Sequence, residues 1–361
     1  MSGQAASRSV VGADDSAPAD WDALCVAAPG GHVLQSRAWA EHRAAQGWQP
    51  LFVRFADGRA ALVLTRRQPP LPGFAAYAPR GPISAGDGAL AVAERAIALA
   101  DWLAGRGARV LAVDPELDAD AGYAGALRRR GFLEIDEIQA ARHRMIVALP
   151  PGATEADLLG HMTKSARQRI RGAEAAGTNV DDAAGAGLLP ELMRMLGQAA
   201  EAKHFGVGQT GALMRWWERA LAAGHARLLV ARHDEAVIGG LLVYDHGGRF
   251  STAYSADDRA SRERLPGTMH LLRWRLLQLA LARGDAWADL GGVDVPGARR
   301  EPLPDEPTYG LYQHKRSLGA AFTPSAAAHE VMLRPWAQRL TLLAGVARRL
   351  SPRGRVGGGH D

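Results

Sequence analysis

Leu51-Phe-Val-Arg-Phe-Ala-Asp-Gly-Arg-Ala-Ala-Leu-Val-Leu64 reads as two apolar strands joined by a tight Asp-Gly turn, a strong short-range signal for a hairpin. The same shape returns 177 positions later in Leu228-Leu-Val-Ala-Arg-His-Asp-Glu-Ala-Val-Ile-Gly-Gly-Leu241. A second correspondence keeps that offset. Ala91–Arg106 has the apolar spacing of a helix, stops at Gly107 and is followed by the strand Arg109–Val113; Gly267–Arg283 stops at Gly284 and is followed by Ala286–Leu290. In both, an Arg-Gly pair supplies a cationic last turn and a left-handed cap. Hairpins and capped helices are common singly, but a shared offset at two separate places points to duplication. The expected architecture is two α/β domains of one plan, each a hairpin-rich sheet flanked by helices. They cover residues 19–150 and 151–335, with the boundary near Leu149-Pro-Pro-Gly152. Residues 1–18 read as a flexible tail, and 336–361 as a basic amphipathic helix ending in another. A crevice between two such domains is the natural place for a ligand.

Composition narrows the chemistry. The chain has 361 residues, 47% of them hydrophobic, enough for two or three buried cores and too apolar for a disordered protein. The single cysteine, Cys25, excludes a disulfide framework and a thiolate metal cluster and fits a reducing compartment. Of 43 cationic residues only three are lysines, Lys164, Lys203 and Lys315, which leaves 40 arginines. Where Arg is the default cation, a retained Lys marks a place suited to a compact ammonium able to lose its proton. A formal net charge of +5 and a pI of about 9.7 suit anionic partners. The polar N-terminus lacks a signal-type apolar region, and no apolar run reaches the ~18 residues that span a bilayer. The expected location is the cytoplasm.

Several segments can carry chemistry. In His161-Met-Thr-Lys-Ser-Ala-Arg-Gln-Arg-Ile-Arg171, helical spacing puts Lys164, Arg167 and Arg171 on one face, either a solvated face or a grip for a polyanion such as a tRNA backbone. Gly310-Leu-Tyr-Gln-His-Lys-Arg-Ser-Leu-Gly-Ala320 reads as a late strand, where Lys315 either protects a sheet edge or stabilises an oxyanion or a leaving group. Asp289-Leu-Gly-Gly-Val-Asp294 ends a strand with paired glycines, a plain turn or a place where a substrate approaches the backbone. Gln35-Ser-Arg-Ala-Trp39 and Tyr77-Ala-Pro-Arg-Gly-Pro82 each set an Arg near an aromatic, a pairing that grips phosphate and stacks on a ring. There is no phosphate-cradling G-x-x-x-x-G-K-[ST], dinucleotide fingerprint, G-x-S-x-G or H-E-x-x-H, and the 12 histidines lack metal-ligand spacing, so neither metal nor cofactor is expected.

The order of these segments resembles the FemABX family of peptidoglycan aminoacyltransferases. The matching pieces run from Leu34 to Leu333. They are Leu34-Gln-Ser-Arg-Ala-Trp39 with Gly47-Trp48, Tyr77–Pro82, Lys164-x-x-Arg167-x-x-Ile170-Arg-x-Ala173-x-x-x-Gly177, Tyr254-Ser-Ala256 with Arg262, Leu271-Leu-x-Trp274, Asp289-Leu-Gly-Gly292, and Tyr312-x-x-Lys315-x-x-x-Gly319. The resemblance implies two tandem GNAT-like domains with mixed sheets flanked by helices. It implies transfer of an amino acid from aminoacyl-tRNA to the stem-peptide amine of a UDP- or lipid-linked muropeptide. It links Lys315, with the backbone carbonyl of His314, to the transfer. Arg37 and Trp39 match a grip on the precursor's phosphates. Tyr77, Arg80, Tyr254, Arg262, Gly291 and Gly292 are the remaining expected substrate contacts, and Lys164, Arg167 and Arg171 the polyanion contacts. The chain departs from the family pattern at His314 and Leu318, each in place of Phe, and at Ala320 in place of Gly.

Two other readings stand beside this one. A GNAT-type N-acyltransferase would take its acyl group from acyl-CoA, gripping pyrophosphate with an R/Q-x-x-G-x-G/A loop at a helix N-terminus; Arg194-Met-Leu-Gly-Gln-Ala199 and Arg316-Ser-Leu-Gly-Ala-Ala321 fit that string. The stripe Trp336, Leu340, Leu343, Ala347 and Leu350, flanked by Arg339, Arg348 and Arg349, reads either as a docked helix or as a peripheral contact with the cytoplasmic membrane face.

Overall fold

A computed structural model of the chain describes residues 8–139, 143–183, 185–203, 210–293, 295 and 299–334. In chain order the first elements are β1 (Val10–Asp14), α1 (Arg37–Ala44), β2 (Gln49–Phe55), β3 (Ala60–Arg67), β4 (Phe74–Ala78), α2 (Ala89–Gly105), β5 (Ala108–Val113), α3 (Ala121–Arg129) and β6 (Leu133–Ile135). Then come β7 (Arg144–Ala148), α4 (Glu155–His161), α5 (Lys164–Ala175), β8 (Asn179–Ala183), α6 (Leu189–Lys203), α7 (Thr210–Ala222), β9 (Ala226–His233), β10 (Ala236–His246) and β11 (Arg249–Asp257). The chain closes with α8 (Arg259–Arg264), α9 (Thr268–Arg283), β12 (Trp287–Asp289), α10 (Tyr309–Ser317), β13 (Ala321–Thr323) and β14 (Ala328–Met332). It divides into two compact units, Met1–Ile138 with Ala326–Asp361, and Gln139–Ser325.

Each unit holds one seven-stranded mixed sheet flanked by helices. The first runs β1-β2-β3-β4-β5-β14-β6 and the second, read from its other edge, β8-β9-β10-β11-β12-β7-β13. Position by position they match, down to a parallel pair in the fourth and fifth places, β4–β5 and β11–β12, with antiparallel neighbours elsewhere. The two hairpins that open the sequence reading are β2–β3 and β9–β10. Gly58 takes a left-handed φ of 78° in the first turn; Asp234 and Glu235 both do so in the second, the backbone that a tight two-residue turn needs.

Three expectations are corrected. Residues 10–14, expected in a tail, form β1, because β2 would otherwise leave its ladder groups open along one edge. The division does not follow the Pro-Pro-Gly boundary. Strand β7 pairs with β12 and β13 in the second sheet, burying Met145 and Val147, while β14 returns from the far end of the chain to pair with β5 and β6. Finally, the segment around Lys315 is helix, not strand. Tyr312 and Lys315, three apart, are both buried, which is helical periodicity, and Gly319 at φ 87° follows the last turn.

The first sheet is covered on both faces. Val53, Phe55, Ala61 and Val63 point to α2 and its neighbours, while the alternate residues Phe52, Leu62 and Leu64 pack on Trp21 and Cys25. Burial, then the charge of Asp22, pushes the Cys25 thiol far up, so Cys25 is an apolar packing residue. In the second unit α9 supplies Leu272, Leu276, Leu277 and Ala280 to a core shared with α5 and the sheet. No helix among the described residues is long and apolar enough to cross a membrane, and the stripe from Trp336 to Leu350 lies outside the described residues.

Candidate active site

In the second unit the parallel ladder between β11 and β12 is recorded at Ser251–Asp289, where β12 ends. The chain then makes the turn Asp289-Leu-Gly-Gly292, with the Gly291 amide donating to Asp289 Oδ1 at 2.8 Å. Gly291 has φ 84°, and a Cβ there would lie 2.9 Å from the Thr252 carbonyl oxygen and 3.3 Å from Lys315 Nζ, so no other residue fits without displacement. Lys315, 3% exposed, extends from α10 and donates to the Gly292 carbonyl at 2.6 Å. Two segments flagged separately in the sequence therefore meet, an ammonium against a glycine turn at the end of a strand.

The residue before Lys315, His314, is held by groups the sequence reading passed over. Arg273 on α9 donates to His314 Nε2 at 3.1 Å, to Ser255 Oγ on β11 at 3.0 Å and to the Met269 carbonyl at 3.4 Å. His270 sets its ring edge-on to His314, centroids 4.2 Å apart. Burial first, then the charges of Arg273, His270, Lys315 and Arg169, pushes His314 down to about 2; burial, then Arg169 and Arg273, pushes His270 down to about 4. Both rings are neutral at neutral pH. Burial also lowers Arg273 to about 10, a value at which it keeps its charge. The His314 carbonyl accepts from the Ser317 hydroxyl at 2.7 Å, so this carbonyl is tied into the end of α10. Tyr254, beside Ser255, packs on Trp217 at 4.8 Å, and burial raises its phenol. Arg262 grips Asp257 with two nitrogens, at 2.6 and 3.0 Å, at the end of β11.

In the first unit a buried glutamine and a buried aspartate organise the two Arg-aromatic motifs. Gln35 receives the Leu62 amide at 2.7 Å and donates to the carbonyls of Leu62 and Pro79 at 3.2 and 2.6 Å, tying the start of the α1 motif to β3 and the turn after β4. Asp114, just past β5, accepts from Tyr77 Oη at 3.0 Å and from the Arg80 amide at 2.6 Å. It holds Arg80 at φ 51°, with the guanidinium NH1 3.9 Å from its carboxylate. Arg37 is 46% exposed on the side chain and pairs with Asp22 at 3.1 Å, while Trp39 stacks on His42 at 5.2 Å.

The row on α5 divides. Lys164 and Arg171 are exposed, but Arg167 turns back to donate to the Leu159 and Met162 carbonyls at 3.0 and 2.6 Å, capping the end of α4. The two acyl-CoA strings sit poorly for pyrophosphate. Arg194–Ala199 lies inside α6, where the amides belong to the helix, and Arg316–Ala321 runs from the end of α10 into β13. The aspartate, the glutamine and the Arg273 group went unread because each acts through a partner distant in sequence. The usable signal was a charged residue on the apolar face of a helix, as in Leu271-Leu272-Arg273-Trp274.

Comparison with known proteins agrees with this geometry. The model of the FemAB family matches residues 19–123, and that of an acetyltransferase (GNAT) domain matches residues 160–316. Among solved structures the chain is similar to FemX, at 18% identity over 92% of this chain and 99% of that one, with a TM-score of 0.75. It is also similar to a conserved protein of unknown function from Bacteroides thetaiotaomicron VPI-5482, at 12% identity over 89% and 99%, with a TM-score of 0.54. A search of curated proteins finds no significant match. One such model thus falls in each half, FemAB in the first and an acetyltransferase (GNAT) domain in the second, and the chain shares the fold of FemX along nearly its whole length.

Proposed function

We propose that this acyltransferase moves an amino acid from aminoacyl-tRNA to the stem-peptide amine of a UDP- or lipid-linked muropeptide. The observation that carries the reading is the Lys315 ammonium, buried and held at the Gly291-Gly292 turn where β11 and β12 end their pairing. In the reaction the acceptor amine attacks the ester carbonyl, a C–N bond forms, and the carbonyl oxygen becomes an oxyanion. The intermediate then collapses, the C–O bond to the tRNA ribose breaks, and the amine's proton leaves as the ribose oxygen takes one up. An ammonium in a dry site stabilises the oxyanion or the departing oxygen without reorganisation. Tyr254, Gly291 and Gly292 shape the space beside it, His314 supports it through the backbone and the Arg273 bond, and Arg262 frames the end of β11. Arg37, Trp39, Tyr77 and Arg80 take the precursor's phosphate-bearing end, and Lys164 and Arg171 face the polyanionic donor; Arg167 supports their helix from below.

The test is incubation with charged tRNA and muropeptide precursors, read by mass. Lys315→Ala is expected to lower kcat by about 10²–10³, the usual cost of one oxyanion donor. A folded Lys315→Ala protein that transfers at the normal rate removes the assignment. A thermal-shift comparison of acetyl-CoA with a UDP-linked muropeptide separates the acyl-CoA alternative, for which neither candidate string is favourably placed.

A further inference from the structure

We propose that Arg273 is a positioning residue for the transfer chemistry: by bridging Ser255 on β11 to His314 on α10 it sets the rotation of α10 that brings the Lys315 ammonium to Gly292. This rests on the reading of Lys315 given above. Arg273 is 2% exposed, and among the described residues its hydrogen-bond partners are the Ser255 hydroxyl, the His314 ring and the Met269 carbonyl, none of them a carboxylate; its Nε has no partner at all. A guanidinium only donates, so His314 Nε2 is the acceptor and the ring proton sits on Nδ1. On a helix, residues 314 and 315 lie about 100° apart, so a bond that fixes the azimuth of one fixes the other. The edge of His270 closes on His314 from α9 as well. The result is one chain of contacts through three elements: Ser255 on the strand that carries Tyr254, Arg273 on α9, and His314 beside Lys315.

A buried cation satisfied by neutral acceptors is a poor way to gain stability, since an apolar side chain of like volume often does as well. What it supplies is direction. A planar fork donates to two partners at fixed angles, whereas an ammonium or a thioether at 273 would leave α10 free to settle by packing alone. His314 is the matching half. A phenylalanine there would offer no acceptor and would leave that guanidinium nitrogen only its 3.4 Å bond to the Met269 carbonyl, within α9 itself.

The experiment uses the full chain and the tRNA–muropeptide assay. Arg273→Met is expected to lower kcat roughly 10²-fold, the scale of an ångström's misplacement, with both KM values within about twofold. Arg273→Lys, which keeps the charge but not the fork, is expected to fall in the same direction. An independent readout needs no substrate. The chain holds only three lysines, so ¹³Cε-lysine labelling gives three resonances, and Lys315→Arg assigns the buried one. Arg273→Met is expected to move the Lys315 resonance and leave those of Lys164 and Lys203 in place. Adding His314→Phe is expected to cost little more, because both substitutions cut one bond. An unmoved Lys315 resonance, or kinetic losses that simply add, overturns the proposal. If Arg273→Met fails to fold, Ser255→Ala cuts the same chain at its other end, and a stationary Lys315 resonance there overturns it equally. If the resonance moves but Lys315→Ala transfers normally, the reading of Lys315 is what fails, and Arg273's part in the chemistry goes with it.

Discussion

Each unit buries one arginine on its long helix, and the two are satisfied in opposite ways. Arg95 on α2 is 1% exposed and is held by two carboxylates. It contacts Asp57 at 2.9 Å and also Asp87, whose carboxyl stays low because the bonds from Arg95 and Arg59 outweigh the raising effect of its burial. Arg273, on the corresponding helix α9 of the duplicated plan, has only neutral hydrogen-bond acceptors. The first is a closed electrostatic unit beneath the hairpin turn at Asp57-Gly58. The second is a cation without a carboxylate among its hydrogen-bond partners, bonded to the residue before the lysine proposed to do the chemistry. The same topology thus carries a structural arginine in one unit and a site-forming one in the other.

Replacing both by the same residue breaks or sharpens that contrast. Arg95→Met takes the nearest cation from Asp57 and leaves Asp87 to Arg59 alone in a partly desolvated site, and is expected to lower unfolding free energy by roughly 3 kcal/mol. The transfer rate per folded molecule should stay unchanged. Arg273→Met strands no carboxylate and is expected to alter stability by less than about 1 kcal/mol in either direction. Urea unfolding of both variants measures this directly. Equal losses in the two proteins would show that Arg273 is as structural as Arg95.

Much of this contrast could not be read in the sequence. The hairpins and Gly-capped helices were legible because they are local: Asp57-Gly58 fixes a turn, and Gly107 and Gly284 end helices whatever surrounds them. The sixth strand of each sheet was not, because β7 and β14 each pair across long stretches of chain and their short apolar runs carry no mark of partner. The segment around Lys315 was misread because Tyr312, His314 and the neighbouring Leu residues look like strand composition, while what decides the matter is burial three residues apart. Lys315 and the Asp289–Gly292 turn were visible as an uncommon lysine and paired glycines. That they touch was not, nor was the Arg273–His314 bond, which depends on how two helices face one another.

The two histidines beside Arg273 give an intermediate effect with a definite sign. Their folded pKa values lie below the ordinary value of 6.5, at about 4 for His270 and about 2 for His314. The unfolded chain therefore takes up protons that the folded one refuses. Stability from these rings is complete above about pH 6.5 and falls as the pH drops toward 4. A shift of that size corresponds to roughly 3 kcal/mol for His270 by pH 4. Carboxylates held low, such as Glu306 at about 2 through its bonds to Arg300 and the Leu303 amide, lose their share only below their ordinary 4.5. Melting temperatures between pH 6.5 and 4.5 thus report the histidines. His270→Phe is expected to flatten that limb, and an unchanged limb would mean the ring is not held neutral.

The smallest effect falls on the first unit's exposed cation. Arg37 pairs with Asp22 at 3.1 Å across a half-exposed side chain, and the Arg37 amide also donates to Asp22 at 2.8 Å. The backbone bond survives substitution, and an exposed ion pair contributes 0.2–1 kcal/mol at most by the general range. Arg37→Ala should therefore leave stability within about 1 kcal/mol of wild type. If the guanidinium instead serves the acceptor's phosphates, its loss removes binding made equally in ground and transition states. Acceptor KM should then rise with little change in kcat, and the rise should shrink as salt screens the phosphates. A variant with unchanged KM and an altered melting temperature would place Arg37 with Arg95, among the residues that hold the first unit together, and would leave the phosphate grip to Arg80 beside Asp114.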